Sequence, residues 1–334
     1  MSIDKLTGLR GFAALIVVVS HASNSGYLPG ILGYGFGQVG VMLFFILSGF
    51  LMGFLYLDKD FGQGVRNYLV ARVARIFPLY WLILVASFIT AKFIYPDFWY
   101  DFSSTKEFLL SFAFIRSKYE LWTIPVEIQF YAIFCLLWFC LQHKKLILFI
   151  PVIIVSPVLA YSNFLSHGTL FPNIFTYIFS FLLGVLLSRL YKAIPQLQGG
   201  KKKLVDYLGL PVLILFVLNL PVLRHEYGLV LFDDYKLNTW LDPLTWILTI
   251  ALFMCALYQS NSLKLFDSKP FVYLGTISFG MYLIHRPVLV HFPALVDNGY
   301  VNFGIVFAVV LLLSHLSFHF WELKMNHYIK KRYG

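Results

Sequence analysis

Arg10 and His21 are polar side chains at opposite ends of the first apolar segment of the chain, GLRGFAALIVVVSHA. They are eleven residues apart, about three helical turns, so both project from nearly the same helix face about 16 Å apart along the axis. An imidazole can act as a general base or a nucleophile, and a guanidinium can hold phosphate. Taken singly, His21 could instead bond a neighbouring helix, and Arg10 could lie at an apolar boundary. Their position on one helix face favours a functional role for both residues over these structural roles.

Two further segments carry charged side chains at positions where chemistry is possible. Arg72 and Arg75 share a helix face, where two guanidinium groups could grip phosphates or anchor the chain at a membrane surface. Glu127, in LWTIPVEIQFYAIF, lies inside an apolar segment and should be protonated, paired or facing a water-filled cavity. Because its predicted depth matches that of His21, a carboxylate and histidine pair is possible.

A polar stripe crosses the segment TISFGMYLIHRPVLV, in which Ser278, Tyr282 and His285 fall at i, i+4 and i+7. Arg286 is expected to point away from this stripe, just before a kink at Pro287. The stripe fits either a hydrogen-bond network between helices or a set of catalytic groups.

Two other patterns have simpler interpretations. Ser48 and Gly49, in FFILSGFL, predict close packing of helices through small residues. His315, His319 and Glu322 have a spacing that suits metal ligation on a helix, but no further ligand set is near them in the sequence. We therefore expect no metal site.

Composition places these residues in a membrane. Of 334 residues, 59% are hydrophobic and 13% are charged, and the mean hydropathy is +0.76. A soluble domain has about 45–50% apolar and about 25% charged residues. The net charge of +10 does not indicate nucleic acid, because most Lys and Arg residues fall into alternate loops, as they do on the cytoplasmic side of membrane proteins.

The sequence predicts an all-α polytopic bundle in a single domain, residues 1–334, with both termini cytoplasmic. Loops 96–121 and 223–239, predicted on the opposite side, mix aromatic and acidic residues and could either bind carbohydrate or anchor the chain at the membrane interface. The ten predicted spanning segments are roughly 6–23, 37–57, 76–95, 122–141, 146–161, 173–191, 205–222, 240–258, 271–292 and 301–321.

Five motifs follow one another along the chain: Arg10 with ten residues before His21, FFILSGFL, Arg72 and Arg75 ahead of FPLYW, LWTIPVEIQFY, and MYLIH. In this order they resemble the membrane acyltransferase-3 family, the O-acetylases of bacterial surface polysaccharides. The resemblance implies a ten-helix bundle in the bacterial cytoplasmic membrane that takes an acetyl group from cytoplasmic acetyl-CoA to a hydroxyl on the far side. Ile128 follows Glu127 where the family often has a second carboxylate, Pro125 lies within the same motif, and the esterase-like domain of many relatives is not expected here.

This resemblance suggests roles for the polar residues. His21 is expected to be the general base or a transient acyl carrier, with Glu127 orienting it. Tyr282 and His285 are candidate donors to the oxyanion of the transition state. The residues expected to hold the phosphates of coenzyme A are Arg10, Arg72 and Arg75.

The expected partners are acetyl-CoA, a glycan or lipid-linked glycan acceptor such as O-antigen or another surface polysaccharide, and membrane lipid, but no nucleic acid. The sequence does not specify an oligomeric state. The main alternative is a transporter or flippase of lipid-linked sugars, although the sequence shows no paired repeats with broken helices, which many transporters have. A structural scaffold would leave the polar motifs without a purpose.

Overall fold

The computed structural model describes residues 4–165, 174–230 and 235–334, and within these ranges the chain is helical, with no strand. The predicted all-α class is confirmed. Residues 231–234 of the second predicted external loop, and residue 173 at the start of the sixth predicted span, lie outside the described residues.

The helices differ widely in length, from a single turn or two to eight turns. Two π-helical segments, Thr90–Ile94 and Phe318–Glu322, follow α3 and precede α14, respectively. The α-helices in the described residues are α1 (Asp4–Asn24), α2 (Phe36–Tyr56), α3 (Phe61–Ile89), α4 (Thr105–Phe112), α5 (Thr123–Gln142), α6 (Ile150–Leu165), α7 (Ile174–Ala193), α8 (Gly199–Leu218), α9 (Pro221–Glu226), α10 (Tyr235–Leu241), α11 (Pro243–Leu257), α12 (Lys269–His291), α13 (Gly299–Ser317) and α14 (Leu323–Tyr333).

Each of the ten predicted spanning segments overlaps one of these helices. By length and hydropathy, seven helical stretches in the described part of the chain could cross a membrane. The number becomes eight if α11 and the segment Asn261–Asp267, bent by 83°, form one broken span. The multi-pass membrane class is therefore confirmed, while the count of ten and the cytoplasmic termini stay predictions. The seven are Asp4–Asn24, Gly30–Tyr56, Phe61–Ile94, Tyr119–Gln142, Leu146–Asn163, Ile174–Ala193 and Gly299–Tyr333.

The chain forms two compact units, each built from two stretches of sequence. Unit 1 comprises Met1–Leu47 and Leu190–Ser314, and unit 2 comprises Ser48–Arg189 and His315–Gly334. The prediction of one domain over residues 1–334 stays a prediction. Each unit contains some of the polar residues that the sequence singles out.

Unit 1 is centred on α1 and α12, which run parallel and in close contact. Thr7 lies opposite Gly275 and His21 lies opposite His285, so residue numbers rise in the same direction along both helices. A β-carbon on Gly275 would lie 1.8 Å from the carbonyl oxygen of Thr7, so only glycine permits this approach. The start of α1 is fixed by the buried Lys5, which donates to the Ser260 carbonyl at 2.9 Å and pairs with a carboxylate of the neighbouring Asn261–Asp267 segment.

Unit 2 is centred on α3, which packs against α4, α5 and α14. Its first residue follows Asp60, whose carboxylate accepts the Gln63 amide at 2.9 Å and so satisfies one of the free N–H groups at the helix start. The buried Tyr68 hydroxyl donates to the Tyr131 carbonyl at 3.2 Å and ties α3 to α5. Trp321 donates to the Pro78 carbonyl at 3.0 Å and ties the π-helical segment before α14 to α3.

Candidate active site

Two histidines meet in unit 1. His21 lies in the last turn of α1 and is half-buried, whereas His285 of α12 is fully buried. The Nδ1 atom of His21 is 2.7 Å from the Nε2 atom of His285, and the two rings are nearly parallel, with an angle of 12° between their planes. The sequence indicates that each histidine is a candidate site residue, but it does not predict this direct contact.

The hydrogen bonds of His285 determine where the protons of both neutral rings lie. Its Nδ1 atom is 2.8 Å from the Tyr282 carbonyl oxygen and 3.1 Å from that of Met281. A carbonyl oxygen only accepts, so Nδ1 of His285 carries the hydrogen and its Nε2 is an acceptor. His21 must then donate from Nδ1, which leaves the lone pair on its Nε2 atom. Nε2 of His21 is therefore the basic atom of the pair.

Arg286 is a third member of this cluster. Its Nη1 atom donates to the Ser25 hydroxyl at 2.5 Å and to the His21 carbonyl at 3.3 Å. The expectation that Arg286 points away from the polar stripe is wrong, because its long side chain reaches across to α1, and α12 continues through Pro287 to His291. This guanidinium fixes the end of α1 and brings a positive charge beside the histidine pair.

Arg10 lies on the same face of α1 as His21, nearer the start of the helix. Its Nε and Nη2 atoms donate to the Gly275 carbonyl at 2.8 and 2.5 Å, and the Ser278 hydroxyl donates to the same oxygen at 2.9 Å. Both Arg10 and His21 thus contact α12, as their spacing predicts. Tyr282 is 7% exposed and lies next to the His285 ring, with 5.9 Å between ring centroids.

Glu127 occupies the first turns of α5 in unit 2, where it is half-buried. Its Oε1 atom accepts from the Tyr131 hydroxyl at 2.6 Å and from the Ser48 hydroxyl at 2.9 Å. Pro125 does not disturb the helix, because it lies in the first turn, where backbone N–H groups have no helical partner. The predicted pairing of Glu127 with His21 of unit 1 stays a prediction.

The SG pair of α2 has two uses in unit 2. Gly49 allows close packing, because a β-carbon there would lie 2.0 Å from the carbonyl oxygen of Phe181. The Ser48 hydroxyl donates to the Glu127 carboxylate. The sequence does not predict this contact, because a serine beside a glycine indicates only close helix packing.

Arg72 and Arg75 lie on α3 in different surroundings. Arg72 is only 8% exposed, and its guanidinium carbon lies 5.8–5.9 Å from the ring centroids of Tyr56, Tyr68 and Tyr131. Its buried Nε atom has no hydrogen-bond partner in the described part of the chain. Arg75 is half-buried and makes no ion pair with any described residue. A ligand can therefore approach Arg75 more easily than Arg72.

The histidines near the C-terminus do not form a metal site with other described residues. No group of three or more His, Cys, Asp or Glu side chains in these ranges is arranged to hold a metal ion. The His315 and His319 rings are tilted by 49° to each other with centroids 4.4 Å apart, and Glu322 accepts from the Ser317 hydroxyl at 3.0 Å.

Comparisons with known proteins agree with these motifs. The family model described as an acyltransferase domain, of the acyltransferase-3 type, matches residues 3–318. Peptidoglycan O-acetyltransferase OatA of Listeria monocytogenes is 24% identical over 96% of this chain and 55% of its own length. YrhL of Bacillus subtilis, a candidate peptidoglycan O-acetyltransferase, is 24% identical over 96% of this chain and 54% of its own length. A candidate O-acetyltransferase of Staphylococcus aureus is 24% identical over 96% of this chain and 56% of its own length.

The chain thus spans about half the length of these curated relatives. No solved structure matches it.

Proposed function

Because the chain belongs to the acyltransferase-3 family, we propose that it is an integral-membrane O-acyltransferase that transfers an acetyl group from acetyl-CoA to a hydroxyl of an extracytoplasmic glycan. The names of the relatives support O-acetyl transfer, and those of two of them support a peptidoglycan acceptor. The observation on which the proposal chiefly rests is the 2.7 Å contact between Nδ1 of His21 and Nε2 of His285, from which we infer a lone pair on Nε2 of His21.

The reaction follows from this lone pair. Nε2 of His21 takes the proton of the acceptor hydroxyl while the hydroxyl oxygen forms a bond to the thioester carbonyl carbon. The resulting tetrahedral oxyanion collapses, the carbon–sulfur bond breaks, and the imidazolium of His21 returns the proton to the departing thiolate. The products are an O-acetyl ester and coenzyme A, and His21 returns to its neutral form. Such general base catalysis contributes roughly 10²- to 10⁴-fold to a rate.

In this scheme His285 has a different role from the predicted oxyanion donor. Both of its ring nitrogens are engaged, Nδ1 with backbone carbonyls and Nε2 with His21. We assign it to orienting His21, as the third member of a nucleophile, base and orienting group does in hydrolases. Tyr282 remains the proposed donor to the oxyanion.

Arg10 is the group in unit 1 that we assign to the phosphates of the donor. Its guanidinium is held by the Gly275 carbonyl, about three helical turns from His21. This separation, roughly 16 Å along α1, is comparable to an extended pantetheine arm, so a nucleotide at Arg10 would bring its thioester to His21. Arg75 of unit 2 is a second predicted phosphate ligand.

The acceptor is proposed by chemical class. A surface glycan offers many hydroxyls of similar reactivity, and peptidoglycan fragments are the first to test because two relatives are named for that polymer. O-antigen and lipid-linked glycans are the other acceptors to compare.

The test uses purified protein in lipid vesicles with acetyl-labelled CoA and peptidoglycan oligosaccharides. Alkali-labile label on sugar is expected with wild-type protein and should fall to background with His21→Ala, because the base is lost. His327→Ala is the matched control, since His327 is exposed on α14, and it should react at the wild-type rate. Full activity of His21→Ala would remove His21 from the mechanism. Movement of lipid-linked sugar without acetylation would favour the transporter alternative.

A further inference from the structure

Among the described residues, hydrogen-bond donors reach only one of the two oxygens of the Glu127 carboxylate. Tyr131 and Ser48 both donate to Oε1, at 2.6 and 2.9 Å. No described residue donates to Oε2, and the half-buried side chain leaves this oxygen accessible. A carboxylate with one tethered and one accessible oxygen is arranged to exchange a proton or hold a donor at a fixed position.

Tyr131 lies between this carboxylate and a buried positive charge. It is 3% exposed, its hydroxyl bonds Glu127, and its ring centroid is 5.8 Å from the guanidinium carbon of Arg72. A cation beside an aromatic ring interacts with its electrons and draws charge from the phenol, which makes the hydroxyl a stronger donor. The same phenol can therefore transmit the charge of Arg72 to Glu127.

Arg72 is better placed for this task than for binding a phosphate. Three tyrosine rings enclose it, it has no carboxylate partner among the described residues, and only 8% of it is exposed. Bidentate recognition of phosphate requires the flat donor edge of a guanidinium to be open to the ligand. Arg75, one turn further along α3, is the more accessible cation.

We propose that Tyr131 is a positioning residue for Glu127 and that Arg72 acts through Tyr131 rather than on the phosphates of the donor. This inference rests on the proposed function and on the prediction from the sequence that Glu127 takes part in acetyl transfer. In this role Arg72 and Tyr131 together give electrostatic support to one carboxylate.

Tyr131→Phe tests the hydrogen bond, because it removes only the hydroxyl. We expect kcat to fall about 10- to 100-fold, the range for a hydrogen bond to a charged group, with little change in KM for acetyl-CoA. In a Glu127→Gln background the same substitution should cause no further loss, since its effect passes through the carboxylate. Tyr68→Phe is the matched control: it removes a buried hydroxyl of the same cage that does not touch Glu127, and its effect should add to that of Glu127→Gln. Additive losses for Tyr131→Phe would overturn the proposal.

Arg72→Gln separates the two roles of the cation. With acetylpantetheine, a donor that lacks the nucleotide phosphates, the loss in kcat should be as large as with acetyl-CoA. A loss confined to acetyl-CoA and expressed as a higher KM would assign Arg72 to phosphate binding instead.

Infrared difference spectra of wild type and Glu127→Gln isolate the carboxyl band of Glu127 without any turnover. Tyr131→Phe should shift this band, and Tyr68→Phe should not. An unshifted band contradicts the positioning role even in an active enzyme, whereas a shifted band in a protein that transfers no acetyl group contradicts the proposed function alone.

Discussion

The proposed base of unit 1 is oriented by a second histidine, which is a neutral group. A neutral imidazole fixes the tautomer of His21 but adds no negative charge when His21 becomes an imidazolium. The last turn of α1 supplies part of that charge, because the free carbonyl groups at a helix C-terminus carry partial negative charge.

We predict that His285→Ala lowers kcat about 10²- to 10⁴-fold, because Nδ1 of His21 loses its acceptor and the wrong tautomer becomes accessible. His285→Gln keeps an acceptor oxygen and should recover part of the rate. Steady-state kinetics of the two variants, at equal protein level in membranes, measures the difference. If glutamine were no better than alanine, the orienting role would be wrong.

The sequence identifies His21 and His285 separately but cannot pair them. Helical periodicity shows which side chains share a face of one helix, while the contact depends on which helices are neighbours and how each is rotated. For the same reason the sequence does not predict that Arg286 contacts α1 or that tyrosine rings surround Arg72. Local spacing does predict that Arg10 and His21 face the same partner, and both contact α12.

At the scale of helices, the close crossing of α1 and α12 is what brings the polar groups together. Glycine makes this possible at Gly275, and also at Gly8, where a β-carbon would lie 1.8 Å from the Phe266 carbonyl oxygen. Nothing in the sequence distinguishes these glycines from Gly304, whose β-carbon position has no neighbouring atom within 4 Å. The distinction depends on tertiary packing.

Gly275→Ala should therefore separate α1 from α12. Overpacking costs about 1–3 kcal/mol, more than the roughly 1 kcal/mol gained from replacing glycine in a helix, so we expect lower thermal stability in detergent and lower acetyl transfer. Gly304→Ala, also within a helix, should be as stable as wild type or slightly more so. Equal melting temperatures for Gly275→Ala and Gly304→Ala would contradict the close approach.

Spanning segments were more predictable than site contacts, because apolar length is a local property. All ten predicted segments overlap helices, but α11 has only 15 residues, and α8 and α12 contain lysine, histidine or arginine. These are the segments for which hydropathy alone does not determine whether they cross.

For the molecule as a whole, the distribution of cations predicts its orientation in the membrane. If both termini are cytoplasmic, α1 begins on the cytoplasmic side, and the parallel α12 must begin there as well. The ends of these helices, with His21 and His285, then lie toward the outer face, where the proposed acceptor is found.

Single cysteines test this orientation after Cys135, Cys140 and Cys255 are replaced. Lys269→Cys and Asp297→Cys lie at exposed positions at the start of α12 and beyond its end. A maleimide that cannot cross membranes should label Asp297→Cys in intact cells and Lys269→Cys only after permeabilisation. The reverse pattern would invert the predicted topology.

The parallel contact between α1 and α12 also bears on biosynthesis. His21 and His285 are separated by 264 residues, and all of unit 2 except its final stretch is translated between them. Since synthesis proceeds from the N-terminus, α1 must enter the membrane and wait for α12 before its histidine gains a partner. A ribosome that stalls, or a transcript that ends, before α12 would therefore leave a membrane-inserted but inert protein, because the proposed base gains its partner only after α12 has been translated.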